Sequence, residues 1–157
     1  MPPFQFRLQT LLRLREADRD DKRAELAAAL QAEEIVHERV RALDRETAAT
    51  RQASRQELAR GTVNVDTLVE RQRYEYQLTA ERAATEQQRQ LILAEIEQRR
   101  ERLARADQEV RVLERLRENQ WEQWRAGELR GEQQLFDELA LRVSGQREIP
   151  ARQAGGD

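Results

Sequence analysis

Cysteine is absent from the 157 residues, which removes disulfides and thiolate metal sites and fits a reducing compartment. Aromatic residues make up only 4% of the chain and the mean hydropathy is -0.95, too little apolar mass for a compact core at this length. The three prolines stand at positions 2, 3 and 150, and the first of six glycines is Gly61, so nothing between Phe4 and Arg60 punctuates a helix. No apolar run approaches the roughly 20 residues that span a bilayer. Arg7, Arg13 and Arg15 interrupt the N-terminal apolar stretch and exclude a secretory signal. The same acid-free stretch has the look of a mitochondrial transit peptide, but it lacks serine and leads straight into helix, so it reads as the start of helix one. Charge of one sign is lacking as well. The 28 basic residues, all arginine except Lys22, are interleaved with 30 acidic ones for a formal charge of -2. Arginine suits bidentate pairing with carboxylate or phosphate. The basic face that would release counterions from a nucleic acid is not evident, and no nucleic-acid partner is expected.

What the chain does have is helix formers in heptad order. Ala, Leu, Glu, Gln and Arg dominate, and the near-neutral charge argues against disorder. Leu26, Ala29, Glu33, Val36, Val40, Leu43, Thr47, Thr50 and Ser54 are spaced alternately by three and four, the rhythm of a left-handed coiled coil. Ile92, Ile96, Arg99, Leu103, Ala106, Val110 and Leu113 repeat it. Each stripe is narrow, carries small or polar residues and holds one charge, Glu33 or Arg99. Such seams pack more weakly than leucine zippers and predict a flexible, marginal hairpin.

The spacing predicts helix one over 4–60, a turn over 61–65 and helix two over 66–143. Gly61 can close the first helix in the left-handed conformation. Thr67 and Glu70 read as a capping box, with Asp66 favoured by the macrodipole at the helix start. Ser144, Gly145 and Pro150 are expected to end the second helix before a disordered tail over 146–157. Folding at 61–65 places residue i of helix one opposite roughly residue 126 minus i of helix two. Phe4 and Phe6 then come beside Trp121 and Trp124 at the open end. About twenty residues of helix two, near 30 Å, would extend past the N-terminus with Leu129, Leu135, Phe136, Leu139 and Val143 unpartnered. An apolar stripe of that kind is a candidate docking surface, against the alternative of a solvated overhang.

The search for chemistry returns little. Glu34-x-x-His37 matches one half of the di-iron element of helical bundles, but the second half is missing, so His37 reads as a polar flank of the seam and no metal is expected. No phosphate loop or nucleophile arrangement is present, and the carboxylates read as solvated or paired with arginine along the helix. The chain is not expected to be an enzyme, to hold a cofactor or to take a small-molecule substrate. Gly127-x-x-x-Gly131 encloses Glu128 and Arg130, which excludes a membrane dimer motif and leaves two weak points where the helix can bend.

Three segments carry a resemblance. Phe4-Gln5-Phe6-Arg7-Leu8-Gln9-Thr10-Leu11-Leu12-Arg13-Leu14-Arg15-Glu16 resembles the N-terminal signature of the FliJ family of bacterial flagellar export proteins. Val112-Leu113-Glu114-Arg115-Leu116-Arg117-Glu118, followed by Glu132-Gln133-Gln134-Leu135-Phe136-Asp137-Glu138-Leu139-Ala140, resembles that family's C-terminal pattern. The near absence of lysine, and Trp121 and Trp124 between the two C-terminal segments, depart from many relatives. The resemblance implies an all-α, antiparallel two-helix coiled-coil hairpin similar to the gamma stalk of rotary ATP synthases. It further implies a non-enzymatic part of the flagellar type III export apparatus that links a hexameric export ATPase to the membrane export gate and assists export chaperones. That would place it in the cytoplasm, peripherally on the inner membrane at the flagellar base. Phe4, Phe6, Leu8, Leu11, Leu12, Leu135, Phe136 and Leu139 are then candidates to face the ATPase, and Tyr74, Tyr76 and Leu78, near the tip, to face the gate or to cap the seam. A hairpin that satisfies its own seam is expected to be monomeric when free. A purely structural tether, oligomerising through the same seam, is the alternative, and an RNA-binding hairpin would need a contiguous arginine face.

Overall fold

The computed structural model describes residues 3–61 and 63–147. Two helices account for nearly all of them: α1 (Gln9–Arg60) and α2 (Val65–Arg147), packed against each other with no strand among the described residues. The chain divides into two compact units. One spans Arg15–Glu109; the other combines the residues up to Leu14 with those from Val110 onward.

The Arg15–Glu109 unit is an antiparallel hairpin. Every position of the α1 heptad stripe from Leu26 to Ser54 is buried or half-buried, as are those of α2 from Ile92 to Ala106. Ala29, Val40, Leu43, Leu78, Ile96 and Ala106 form its core, and Leu43 is fully enclosed. The polar seam residues are satisfied within α1: the hydroxyls of Thr47, Thr50 and Ser54 donate to the carbonyls of Leu43, Glu46 and Thr50 at 2.8, 2.9 and 3.1 Å. Between the helices the register is read from cross-chain pairs. Glu109 meets Arg15 at 3.0 Å, Arg89 meets Glu33 at 2.7 Å, Arg82 meets Asp44 at 2.6 Å, Glu75 meets Arg51 at 3.3 Å and Arg71 meets Glu57 at 2.5 Å. Arg39 pairs with Glu81, and the Tyr74 hydroxyl donates to Glu46. Most of these pairs are half exposed and each contributes little to stability, but together they disfavour a slipped register, which would set like charges opposite one another.

The connection follows glycine and asparagine chemistry. Gly61 has φ 75°, a left-handed conformation that closes α1, and its N–H donates to the Leu58 carbonyl at 3.3 Å. The cap of α2 is not the anticipated Thr67–Glu70 box. Asn64 Oδ1 accepts the Asp66 N–H at 3.0 Å and the Asn64 carbonyl takes the Leu68 N–H at 3.1 Å, so the helix begins at Val65. Asparagine is among the strongest N-caps, and its short amide reaches the second free N–H without help from a more distant residue.

The other unit departs from expectation at both helix ends. Residues 4–8 are not helical: the Gln9 N–H turns back to the Phe6 carbonyl at 3.1 Å and α1 starts only at Gln9. This bend lets Phe6 enter a core with Leu12 and Val110, flanked by Phe4 and Leu113, which a continued helix would have turned it away from. At the far end α2 runs through Ser144 to Arg147. The Ser144 hydroxyl donates to the Ala140 and Leu141 carbonyls at 2.9 and 3.0 Å, a mode serine can adopt inside a helix, so it does not act as a stop. The remainder of the anticipated tail, 148–157, and Pro2 lie outside the described residues.

Candidate interaction surfaces

In the unit built from the N-terminal segment and the C-terminal half of α2, the sequence candidates separate by burial. Leu12 is fully buried and Phe6 is 7% exposed, so both hold this unit together and neither presents a face to a partner. Phe4 is half-buried, its ring 6.1 Å from that of Trp124 at an interplanar angle of 49°. Arg125 lies over Trp121, 5.3 Å from the ring centroid. Phe4 and Trp121 then border a groove completed by Glu114, Arg117 and Glu118. Leu8 and Leu11 are exposed at the edge of the packed region.

Farther along α2, Leu129, Leu135, Phe136, Leu139, Leu141 and Val143 are all more than half exposed, Phe136 reaching 71%. Leu129, Phe136 and Val143 recur every seven residues with Leu139 between them. Counting sevens onward from the buried Val110 reaches Arg117, Trp124, Gly131 and Glu138 instead. Sevens from Leu113 reach Gln120, Gly127, Gln134 and Leu141, so Leu141 continues the first seam while Leu129, Phe136, Leu139 and Val143 form a second seam on a different face of α2. A longer α1 continuing in register would have left it uncovered. Gly127 adds a related feature, since a side chain built on it would meet nothing within 4 Å. Glycine in a helix interior costs roughly 1 kcal/mol against alanine, and no packing among the described residues calls for it.

Near the turn, Leu78 is 3% exposed and belongs to the core. Its heptad relation to Thr85 and Ile92 carried that signal, since the α2 seam continues toward the turn through half-buried Arg89, Thr85, Glu75 and Arg71. Tyr74 is partly exposed with its hydroxyl engaged by Glu46, a bond that raises its pKa above the ordinary 10.0. Tyr76 stands free at 70%. Leu58, Val63, Val65 and Val69, none of them among the candidates above, leave an exposed aliphatic group around the turn. Valine in a non-periodic connection was the available signal.

Glu33, Glu34 and His37 bring their ligand-type atoms within 4.8 Å of one another. A cation is already there. The guanidinium of Arg89 donates to Glu33 at 2.7 Å and approaches His37 Nδ1 at 3.4 Å, and the bond to Glu33 raises the arginine pKa. Arg99, the other seam charge, is similarly satisfied by Glu95 at 2.8 Å and the Glu25 carbonyl at 2.5 Å. These partners change what a leucine would do. Glu33→Leu alone is expected to lower stability, because it takes the cross-helix carboxylate from Arg89 and leaves that guanidinium only Glu86 at 3.7 Å, whereas Glu33→Leu with Arg89→Leu is expected to equal or exceed the parent. Urea unfolding of the two single variants and the double variant measures the coupling; additivity within about 0.5 kcal/mol would show that the pair is not interacting.

Two long helices packed against each other, with exposed apolar residues at the turn and on the C-terminal part of α2, define an all-α helical hairpin protein. Residues 4–148 match the family described as Flagellar FliJ protein, and the chain belongs to that family. It is thus a flagellar export-related protein of a non-catalytic family. No curated protein and no solved structure gives a significant match.

Proposed function

We propose that this protein links a hexameric flagellar export ATPase to the export gate and assists export chaperones, working at the cytoplasmic face of the inner membrane. The observation that carries the reading is the second seam on α2. Its leucines and Phe136 are more than half exposed among the described residues, and their wide arc suits a helix enclosed by another protein better than one resting on a flat surface. The ATPase is the occupant assigned to it, with Leu8, Leu11 and Phe4 at the margin of the contact and Phe6 and Leu12 supporting them from inside. Tyr74, Tyr76 and the aliphatic group around the turn are assigned to the gate; Leu78 supports them from the core. Among the described residues no helix is long and apolar enough to cross a membrane, and the attachment proposed there is through protein contacts. Co-purification of the full chain from its native cell is expected to recover a hexameric ATPase. Recovery of self-oligomers alone would favour the structural tether.

A further inference from the structure

Imidazole is the one side-chain type whose ordinary ionisation falls between pH 5 and 8 apart from perturbed thiols, and this chain has a single histidine and no cysteine. That histidine sits against the most enclosed ion pair joining the helices of the Arg15–Glu109 unit. The side chains of Glu33 and Arg89 are only 15% and 24% exposed, and His37 touches both, with Nδ1 3.8 Å from Glu33 and 3.4 Å from Arg89 Nη2. A guanidinium can only donate, so Nδ1 faces it as the acceptor of a neutral imidazole whose proton is on Nε2.

We propose that the Glu33–His37–Arg89 cluster is a proton-operated clasp between the two helices, closed when His37 is neutral and opened when it is protonated. The charged groups around it fix the direction. On α1 the imidazole is near Glu33 and Glu34, with Arg41 bound to Glu34 and Glu38 beyond, and Arg45 donating to Glu38 at 2.7 Å. On α2 it faces Arg89, which has Glu86 within 3.7 Å. The proton changes who holds whom. Nδ1 becomes a donor, can no longer accept from Arg89 and repels it at contact distance, while Glu33, one turn earlier on the same helix, becomes its natural partner. Glu33 then pairs along α1 and Arg89 retains Glu86 along α2. No charge is left unpaired, and what is lost is the bond that crosses the hairpin. The result is local separation at this layer without global unfolding. The clasp is independent of which proteins dock at either surface.

Amide hydrogen exchange of the full chain, corrected for the intrinsic pH dependence of exchange, tests this between pH 7.5 and 5.5. Protection of residues 33–40 and 86–93 is expected to fall about threefold to fivefold with acid relative to residues 43–50, as loss of one partly exposed pair implies. His37→Gln keeps an acceptor that cannot be protonated, and should remain protected at both pH values. Glu33→Gln should show the lower protection throughout. In parallel, the Arg89 Nε resonance should move with the His37 imidazole titration in the parent protein. A parent with no differential loss, or a His37→Gln variant that loses protection as the parent does, would overturn the clasp; a matching loss over residues 43–50 would show general acid softening instead.

Discussion

Replacing Leu135 and Phe136 together with serine is expected to weaken binding to the export ATPase by far more than tenfold while leaving helicity unchanged. Each apolar side chain buried at an interface contributes about 1.5 to 3 kcal/mol, and about 1.4 kcal/mol is a factor of ten in affinity. Helicity should persist because both residues are more than half exposed and the unit's core lies elsewhere, in Phe6, Leu12 and Val110. Isothermal titration with the purified ATPase reads the affinity, and far-ultraviolet circular dichroism reads the helix. Leu91→Ser, 74% exposed within the other unit, serves as the control for a general loss of apolar surface. A double variant that bound as the parent does would remove the ATPase from the second seam and make Tyr74 and Tyr76 the better candidates.

Leu43→Ala carries the largest expected effect on stability. Leu43 is fully buried in a unit whose core is a single seam, so the deletion loses both transfer energy and packing. Substitutions of this type cost about 2 to 5 kcal/mol, and a thin core that partly collapses or admits water belongs near 3. Against a total of roughly 5 to 15 kcal/mol for proteins in general, that is a large share, equivalent to about 10 °C in melting temperature for a chain of this length. Leu91→Ala should shift it by no more than about 1 to 2 °C, as exposed positions do. Equal shifts for the two variants, read by thermal circular dichroism, would mean that Leu43 is not enclosed in solution.

Periodicity located the seam well because it needs only the spacing of side chains along one helix. The α1 positions from Leu26 to Ser54 are the ones the hairpin buries, including polar Thr47 and Thr50, which no hydrophobicity measure would select on its own. Leu78 escaped because the α2 seam around it is carried by Glu75, Thr85 and Arg89, whose type points to solvent while their register points inward. Asn64 escaped because two sequences could cap the same helix, and the choice depended on which oxygen reaches a free N–H. Among the surface candidates, type alone could not separate Leu135 from Leu12 or Tyr76 from Leu78.

Composition and heptad spacing by themselves determined that this protein is helical and that its first helix closes at Gly61. Those properties follow from local propensity and from repeats that any helix must project onto one face. Only the tertiary structure decided which apolar residues are spent inside and which remain available, that Glu33 and Arg99 are satisfied in the seam, and that His37 contacts the opposite helix. Burial and charge pairing are relations between residues far apart in the chain, and they are set by the depth at which two faces meet.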